Sequence, residues 1–209
     1  MVHFLIEGKL FKQGFSPVAG VDEAGRGPLA GPVFAAAVIL PSKYRLDGLD
    51  DSKKLSPSKR ERLYKIIKDQ ALGFAVSYVG EKQIDNINIL NAALLAMKKA
   101  LSKLKIKPKY VLVDGNKNIP GIDIGQSCVI GGDAVSASIA AASILAKVER
   151  DRYMLRLHKK FPAYGFDSHK GYGTKAHIKA IKMIGPCSSH RMTFEPVRSC
   201  RAKDSVLEY

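Results

Sequence analysis

Residues 18–40 read VAGVDEAGRGPLAGPVFAAAVIL, and this stretch decides the fold. Val18 to Glu23 is short and mostly apolar, which predicts a strand. Gly25-Arg26-Gly27-Pro28 breaks it. Val33 to Leu40 predicts a second, fully buried strand, stopped by Pro41. So few residues join the two that an antiparallel pairing is expected. Moving outward, Ser56-Pro57 has the form of a helix N-cap with proline at the first helical position, opening a helix to about Gln70. Gly73 to Val79 predicts a third strand. Asn88 to Leu104 repeats its apolar residues at helical spacing. Tyr110 to Val113 predicts a fourth strand that runs into Asp114-Gly115, and Ser127 to Ile130 a fifth. Ala134 to about Lys160 is the longest helical stretch, and its small residues Ala140-Ala-Ala-Ser suit close packing on a sheet. Lys175 to Ile184 predicts another helix, and the tail from Pro186 reads as irregular or weakly helical. Three strands followed by alternating helix and strand predict an α/β fold with a mixed sheet.

The chain has 209 residues, and 46% are apolar, enough for one ordinary core. The 34 Lys and Arg exceed the 19 Asp and Glu by 15. That surplus points to a polyanion, either nucleic acid or an anionic membrane face. The longest uncharged stretch, Gly27 to Ser42, is sixteen residues with three prolines, short of the roughly 20 apolar residues of a spanning helix. The N-terminus lacks the pattern of a secretion signal. Cys128, Cys187 and Cys200 match no zinc spacing and read as free thiols of a reducing cytoplasm. Basic residues gather in three places: Lys53 to Arg62, Lys98 to Lys109, and the last 58 residues, with twelve Lys and Arg against four Asp and Glu. Each run alone could be a solvated face; together they suggest a phosphate-tracking surface. Tyr164, Phe166, His169 and Tyr172 interleave with the last of them and could stack on bases or sugars.

The acids carry more information. Asp22-Glu23 ends the first predicted strand, Asp114 ends the fourth, and Asp133 lies between the fifth and the long helix. Carboxylates gathered at one sheet edge repel one another unless a cation joins them, and such oxygen donors suit Mg²⁺ or Mn²⁺. Two such ions beside a phosphodiester would bind the attacking water and the leaving oxygen. Plainer roles exist for each: a turn for Asp114-Gly115, an N-cap for Asp133. Adjacent strand residues also point to opposite faces, so Asp22 and Glu23 reach one site only if the backbone departs from regular β there.

Residues 21–33 (VDEAGRGPLAGPV) resemble the opening of bacterial ribonuclease HII. Asp51-Ser52-Lys53-Lys54-Leu55, Val113-Asp114-Gly115, Gly132-Asp133, residues 139–147 (IAAASILAK) and residues 164–174 (YGFDSHKGYGT) resemble later blocks of that family in the same order. The resemblance runs from about Val18 to Pro196. It implies a ribonuclease H-like mixed sheet flanked by helices over residues 1–160, and a helical C-terminal extension over 161–209 that carries the junction-sensing tyrosine. It implies a cytoplasmic, monomeric endonuclease that acts on RNA–DNA hybrids and on duplex DNA containing ribonucleotides. Cutting would fall 5′ to the ribonucleotide and leave a 3′-hydroxyl and a 5′-phosphate, with water activated by Mg²⁺ or Mn²⁺, two ions in the reactive complex. The family's four acids fall on Asp22, Glu23, Asp114 and Asp133, as catalytic and metal-binding residues; Asp151, in what reads as the exposed ion-pair patch Glu149-Arg150-Asp151-Arg152, competes for the fourth place. Substrate contacts fall on Gly25, Arg26, Gly27, Ser52, Lys53 and Tyr172, with Tyr164 as the alternative tyrosine. Gly131 stands where the family usually has lysine. Arg26, and the roughly seventeen residues before the first block, fit type HII rather than HIII. The residues from Arg201 to Tyr209 form no clear clamp-binding peptide, so protein partners stay open. A non-catalytic nucleic-acid-binding module, and a nuclease or transferase indifferent to ribose, are the competing readings.

Overall fold

The computed structural model describes residues 5–42 and 55–204. Strands β1 (Val18–Ala24), β2 (Val33–Ile39), β3 (Gly73–Val79), β4 (Tyr110–Asp114) and β5 (Gly125–Val129) form one sheet in the order β3-β2-β1-β4-β5. β1 pairs antiparallel with β2, and β2 with β3; β1 with β4 and β4 with β5 are parallel. The sheet is therefore mixed, and the short connection from β1 to β2 makes an antiparallel pair.

All seven residues of β2 are buried. Such a strand needs cover on both faces, and three helices provide it. Ala36 and Val38 pack with α5 (Ala137–Lys160) and α2 (Pro57–Gln70). Ala35, Ala37 and Ile39 pack with α4 (Ile89–Ser102) through Ala92, Ala96, Met97 and Ala100. The alanines on each side let the layers come close. At Gly20, a methyl group would collide with the backbone of Ser138 and Ile139, so β1 touches α5 almost backbone to backbone.

Helix starts follow the expected chemistry. Ser56 Oγ accepts from Lys59 N at 3.3 Å ahead of Pro57. α5 starts at Ala137, three residues later than its composition suggests, because Ser136 is its N-cap and accepts from Ile139 N. Three helices were not read in the sequence: α1 (Leu5–Lys12), α3 (Glu81–Ile87) and the four-residue helix at Phe166–His169; in the tail, read as irregular or weakly helical, α8 (Val197–Asp204) is regular helix. α1 docks through Ile6, Leu10 and Phe11, which pack on Val18, Leu112 and Ile139, and through one acid. Glu7 is buried and accepts from Ser136 Oγ at 2.6 Å, Ser138 N at 2.9 Å and Ser138 Oγ at 2.7 Å, placing negative charge at the start of α5. After α5 come the short α6 (Phe166–His169) and then α7 (Lys175–Ile184). Their side chains form a further core with Leu29, Ala30 and Met154. No helix among the described residues is long and apolar enough to cross a membrane.

Candidate active site

β1 and β4 are parallel neighbours with Val21 opposite Val113, so Asp22 and Asp114 take the next, equivalent positions at their carboxyl ends. The pleat turns Val21 and Val113 toward α4 and the next residue of each strand toward α5. Asp22 is buried there and accepts from Ser143 of α5 and from Glu23 N, the latter at 2.6 Å. Burial pushes the Asp22 carboxyl well up, and the charges of Glu23 and Asp114 push it further. Glu23 is also raised, first by burial; Arg26, 3.3 Å away, opposes this, and Asp114 adds to it.

β1 stays paired with β2 through Ala24, so the expected break from regular β comes after Glu23 and not at it. It comes at Gly25, with φ at +99°. Adjacent strand residues leave on opposite sides, and Glu23, paired with Arg26, is still near enough for its charge to act on Asp22.

The turn that carries Asp133 meets the end of β4. Asp114 Oδ1 accepts from Gly132 N at 2.7 Å, which draws the 3-10 turn Gly132–Ala134 against the end of β4. Asp133, in that turn, is buried and does not cap α5, since Ser136 does. Gly131 is left-handed (φ 63°), and a methyl group there would meet open space. Asp151 lies eight residues beyond Ser143, about 12 Å along the helix. It is paired with Lys147 at 2.7 Å and Arg60 at 3.7 Å.

Asp22, Glu23 and Asp114 are hard oxygen donors crowded in a dry place, and among the described residues Arg26 is the one cation paired with them. That chemistry fits a divalent cation. Glu23 and Asp114 stand close enough to raise the Asp22 carboxyl, and Asp114 that of Glu23, but no three acid, histidine or cysteine side chains among the described residues already form a metal cage.

The loop from Gly25 to Pro32 lies beside the acids. Two buried arginines hold it. Arg150 donates to Pro32 O, Ala30 O and Lys170 O at 3.1 to 3.3 Å. Arg191 donates to Gly25 O at 2.6 Å, Arg26 O at 2.8 Å and Gly31 O at 2.8 and 3.0 Å. Burial, then the neighbouring Arg150, pushes Arg191 down to about 9. At Gly25 any side chain would strike the Arg150 guanidinium. Reading residues 149–152 as an exposed ion-pair patch is thus wrong at Arg150, which is 1% exposed, although Arg152 does pair with Glu149 and Glu61. Neither arginine was singled out in the sequence. Nothing beside them in the chain marks them as buried, and most of the carbonyls that hold them are about 120 or 160 residues away.

Tyr172 is 45% exposed and faces Gly27, 3.7 Å from where a methyl group on that glycine would sit. Tyr164 is buried, stacks on Phe166 and donates to Gly185 O at 2.7 Å, so it is a core residue. Ser52 and Lys53 lie outside the described residues. The three cysteines are free.

A family model described as ribonuclease HII matches residues 19–197. A ribonuclease HII of Endomicrobium trichonymphae is 55% identical over 194 residues, covering 93% of this chain and 92% of the relative. Among solved structures, the ribonuclease H2 of Pyrococcus horikoshii OT3 has a TM-score of 0.75 at 30% identity, over 89% of this chain and 97% of that one. The ribonuclease HII of Archaeoglobus fulgidus, described in a complex with PCNA, has a TM-score of 0.73 at 29% identity, over 86% of this chain and 95% of that one.

Proposed function

Because the chain belongs to the ribonuclease HII family of hydrolytic nucleases, we propose that it cuts the RNA strand of RNA–DNA hybrids and incises duplex DNA 5′ to an embedded ribonucleotide. The products carry a 3′-hydroxyl and a 5′-phosphate. The observation that carries this reading is the meeting of Asp22 and Asp114 on adjacent parallel strand ends beside a loop whose backbone is held rigid from behind.

Asp22, Glu23, Asp114 and Asp133 would hold two divalent ions, Mg²⁺ or Mn²⁺, which would supply activation of the water and charge stabilisation at the leaving oxygen. The other roles belong to the protein. Arg191 and Arg150 occupy carbonyls of the 25–32 loop from inside, so the Gly25-Arg26-Gly27 backbone can meet the minor groove, where a 2′-hydroxyl both donates and accepts. Tyr172, across Gly27, packs on the deoxyribose that follows; a 2′-hydroxyl there would crowd it. Ser52 and Lys53 contact backbone phosphates. Residues 161–209 act as the substrate-reading extension, and one chain supplies every residue named, so the working form is a monomer.

A nicking assay on a DNA duplex with one embedded ribonucleotide, in Mg²⁺ and in Mn²⁺, tests this. Asp22→Asn and Asp114→Asn should lower the rate by at least about a thousandfold, the scale of losing a group that acts only in the transition state, while duplex binding persists. Equal cutting by wild type and either variant overturns the roles of the acids. Equal cutting of an all-DNA duplex overturns the ribose dependence.

A further inference from the structure

Beneath Tyr172 lies a chain of histidines that the reading above leaves unused. His177, on α7, and His190 are both buried, with their Nε2 atoms 3.0 Å apart. His190 Nδ1 receives the Cys187 N–H at 3.0 Å. The same nitrogen lies farther, at 3.3 Å, from both Cys187 O and Cys187 Sγ, so the N–H contact governs: Nδ1 accepts and carries no proton, and His190 holds its proton on Nε2 and donates to His177. His177 therefore holds its proton on Nδ1, and 2.9 Å away is the carbonyl of Tyr172. The same logic fixes His169, which stacks on His177 at 4.4 Å: its Nδ1 accepts from Gly171 N, and its Nε2 donates to Tyr164 O at 2.7 Å. Hydrogen bonding thus gives each ring one tautomer. The direction of the relay is set: Cys187 to His190, His190 to His177, His177 to Tyr172.

The far end is anchored to the same loop that Tyr172 faces. Ala30 bridges to His190, Arg191 N donates to Leu29 O at 2.8 Å, and Leu29 N donates to Gly171 O at 2.8 Å. The relay thus closes a ring that runs from the 25–32 loop through residues 187–191, the two imidazoles and Tyr172, and back to Gly27.

We propose that His177 and His190 are positioning residues for substrate selection: they fix the Tyr172 backbone against the Gly25-Arg26-Gly27 loop, so that the ring meets the sugar after the ribonucleotide at one spacing. This rests on the role given to Tyr172 above. Neither histidine touches substrate. Displacing the ring by about an ångström should blur the choice between a deoxyribose and a ribose at that position without removing the acids.

The experiment compares kcat/KM on a duplex with one embedded ribonucleotide and on a continuous RNA–DNA hybrid. His177→Ala should lower the ratio of the two about tenfold, the worth of one neutral hydrogen bond, with hybrid cleavage nearly unchanged. His177→Asn keeps a donor near the Nδ1 position and should restore most of the ratio. An unchanged ratio in His177→Ala, or in Tyr172→Ala, overturns the proposal, as does His177→Asn failing to rescue. Should His177→Ala not fold, nitrogen-15 spectra of the wild-type imidazoles decide: His177 protonated on Nδ1 and His190 on Nε2 support it, and the reverse pattern sinks it. Wild-type protein that cuts neither substrate in either metal points instead at the proposed activity, and leaves the tautomer spectra as the test of the relay.

Discussion

Asp22 is held by the fold in a place where its charge is unwelcome. Its carboxyl is raised by burial first and by Glu23 and Asp114 next. A carboxyl whose folded pKa lies above its unfolded value of 3.8 binds its proton more tightly when folded. Its contribution to stability is complete below pH 3.8 and is lost as pH rises through the folded value, so at neutral pH ionised Asp22 destabilises the protein. Asp22→Asn should therefore abolish nicking and raise Tm by a few degrees, on the order of 1 kcal/mol. Mg²⁺ or Mn²⁺ should raise the wild-type Tm by binding the native state, and should raise that of Asp22→Asn much less. A lower Tm in metal-free Asp22→Asn would show that the carboxylate stabilises the fold. At this scale the meeting of Asp22 and Asp114 was legible because each follows an apolar strand run. Arg150, Arg191, His177 and His190 were not, because a sequence shows that a residue is polar but not which group receives its proton, whether five residues away or 160.

Elements were legible in proportion to how much apolar surface they bury. β1, β2, α4 and α5 carry the interior, and their runs of Val, Ile, Leu and Ala gave them away. α3 buries Ile84 alone among polar neighbours, which leaves no periodicity to read. β5 is an edge strand with no fully buried residue, and its expected start, Ser127, falls two residues late. The β1–α5 contact carries the site, because it sets Asp22 against Ser143. It depends on Gly20. Gly20→Ala should cost about 3 kcal/mol, since the new methyl group meets backbone that no rotamer change can move. Gly8→Ala, in α1 with nothing within 4 Å, should instead stabilise by up to about 1 kcal/mol. Urea midpoints of the two variants should move in opposite directions; a Gly20→Ala protein as stable as wild type would mean that α5 can withdraw from the sheet without loss.

Across the whole molecule, the excess of 15 positive charges is divided by the topology. Lys105, Lys107 and Lys109 are exposed and precede β4, at the amino end of the strand whose carboxyl end holds Asp114. Five strand residues separate the two ends by about 16 Å, so a duplex lying across the acids at one edge of the sheet leaves these lysines at the other. Lys175, Lys179 and Lys182 are exposed on α7 at spacings of four and three, on one face of a helix that begins three residues after Tyr172. A duplex whose junction lies at Tyr172 passes over that face. The sequence showed both clusters with equal weight, because charge along the chain carries no information about which end of a sheet it decorates. Binding of a ribonucleotide-containing duplex by Asp22→Asn, measured from 50 to 200 mM salt, separates them. Each phosphate contact contributes about 0.9 to the slope of log K against log salt. Replacing Lys175, Lys179 and Lys182 by Gln should make that slope shallower by about 2 and weaken binding about equally for any duplex sequence. Replacing Lys105, Lys107 and Lys109 should leave the slope within about 0.5 of its starting value. If the second triple variant loses more of the slope than the first, the duplex follows the amino ends of the strands, and the orientation of substrate over the acids must be turned around.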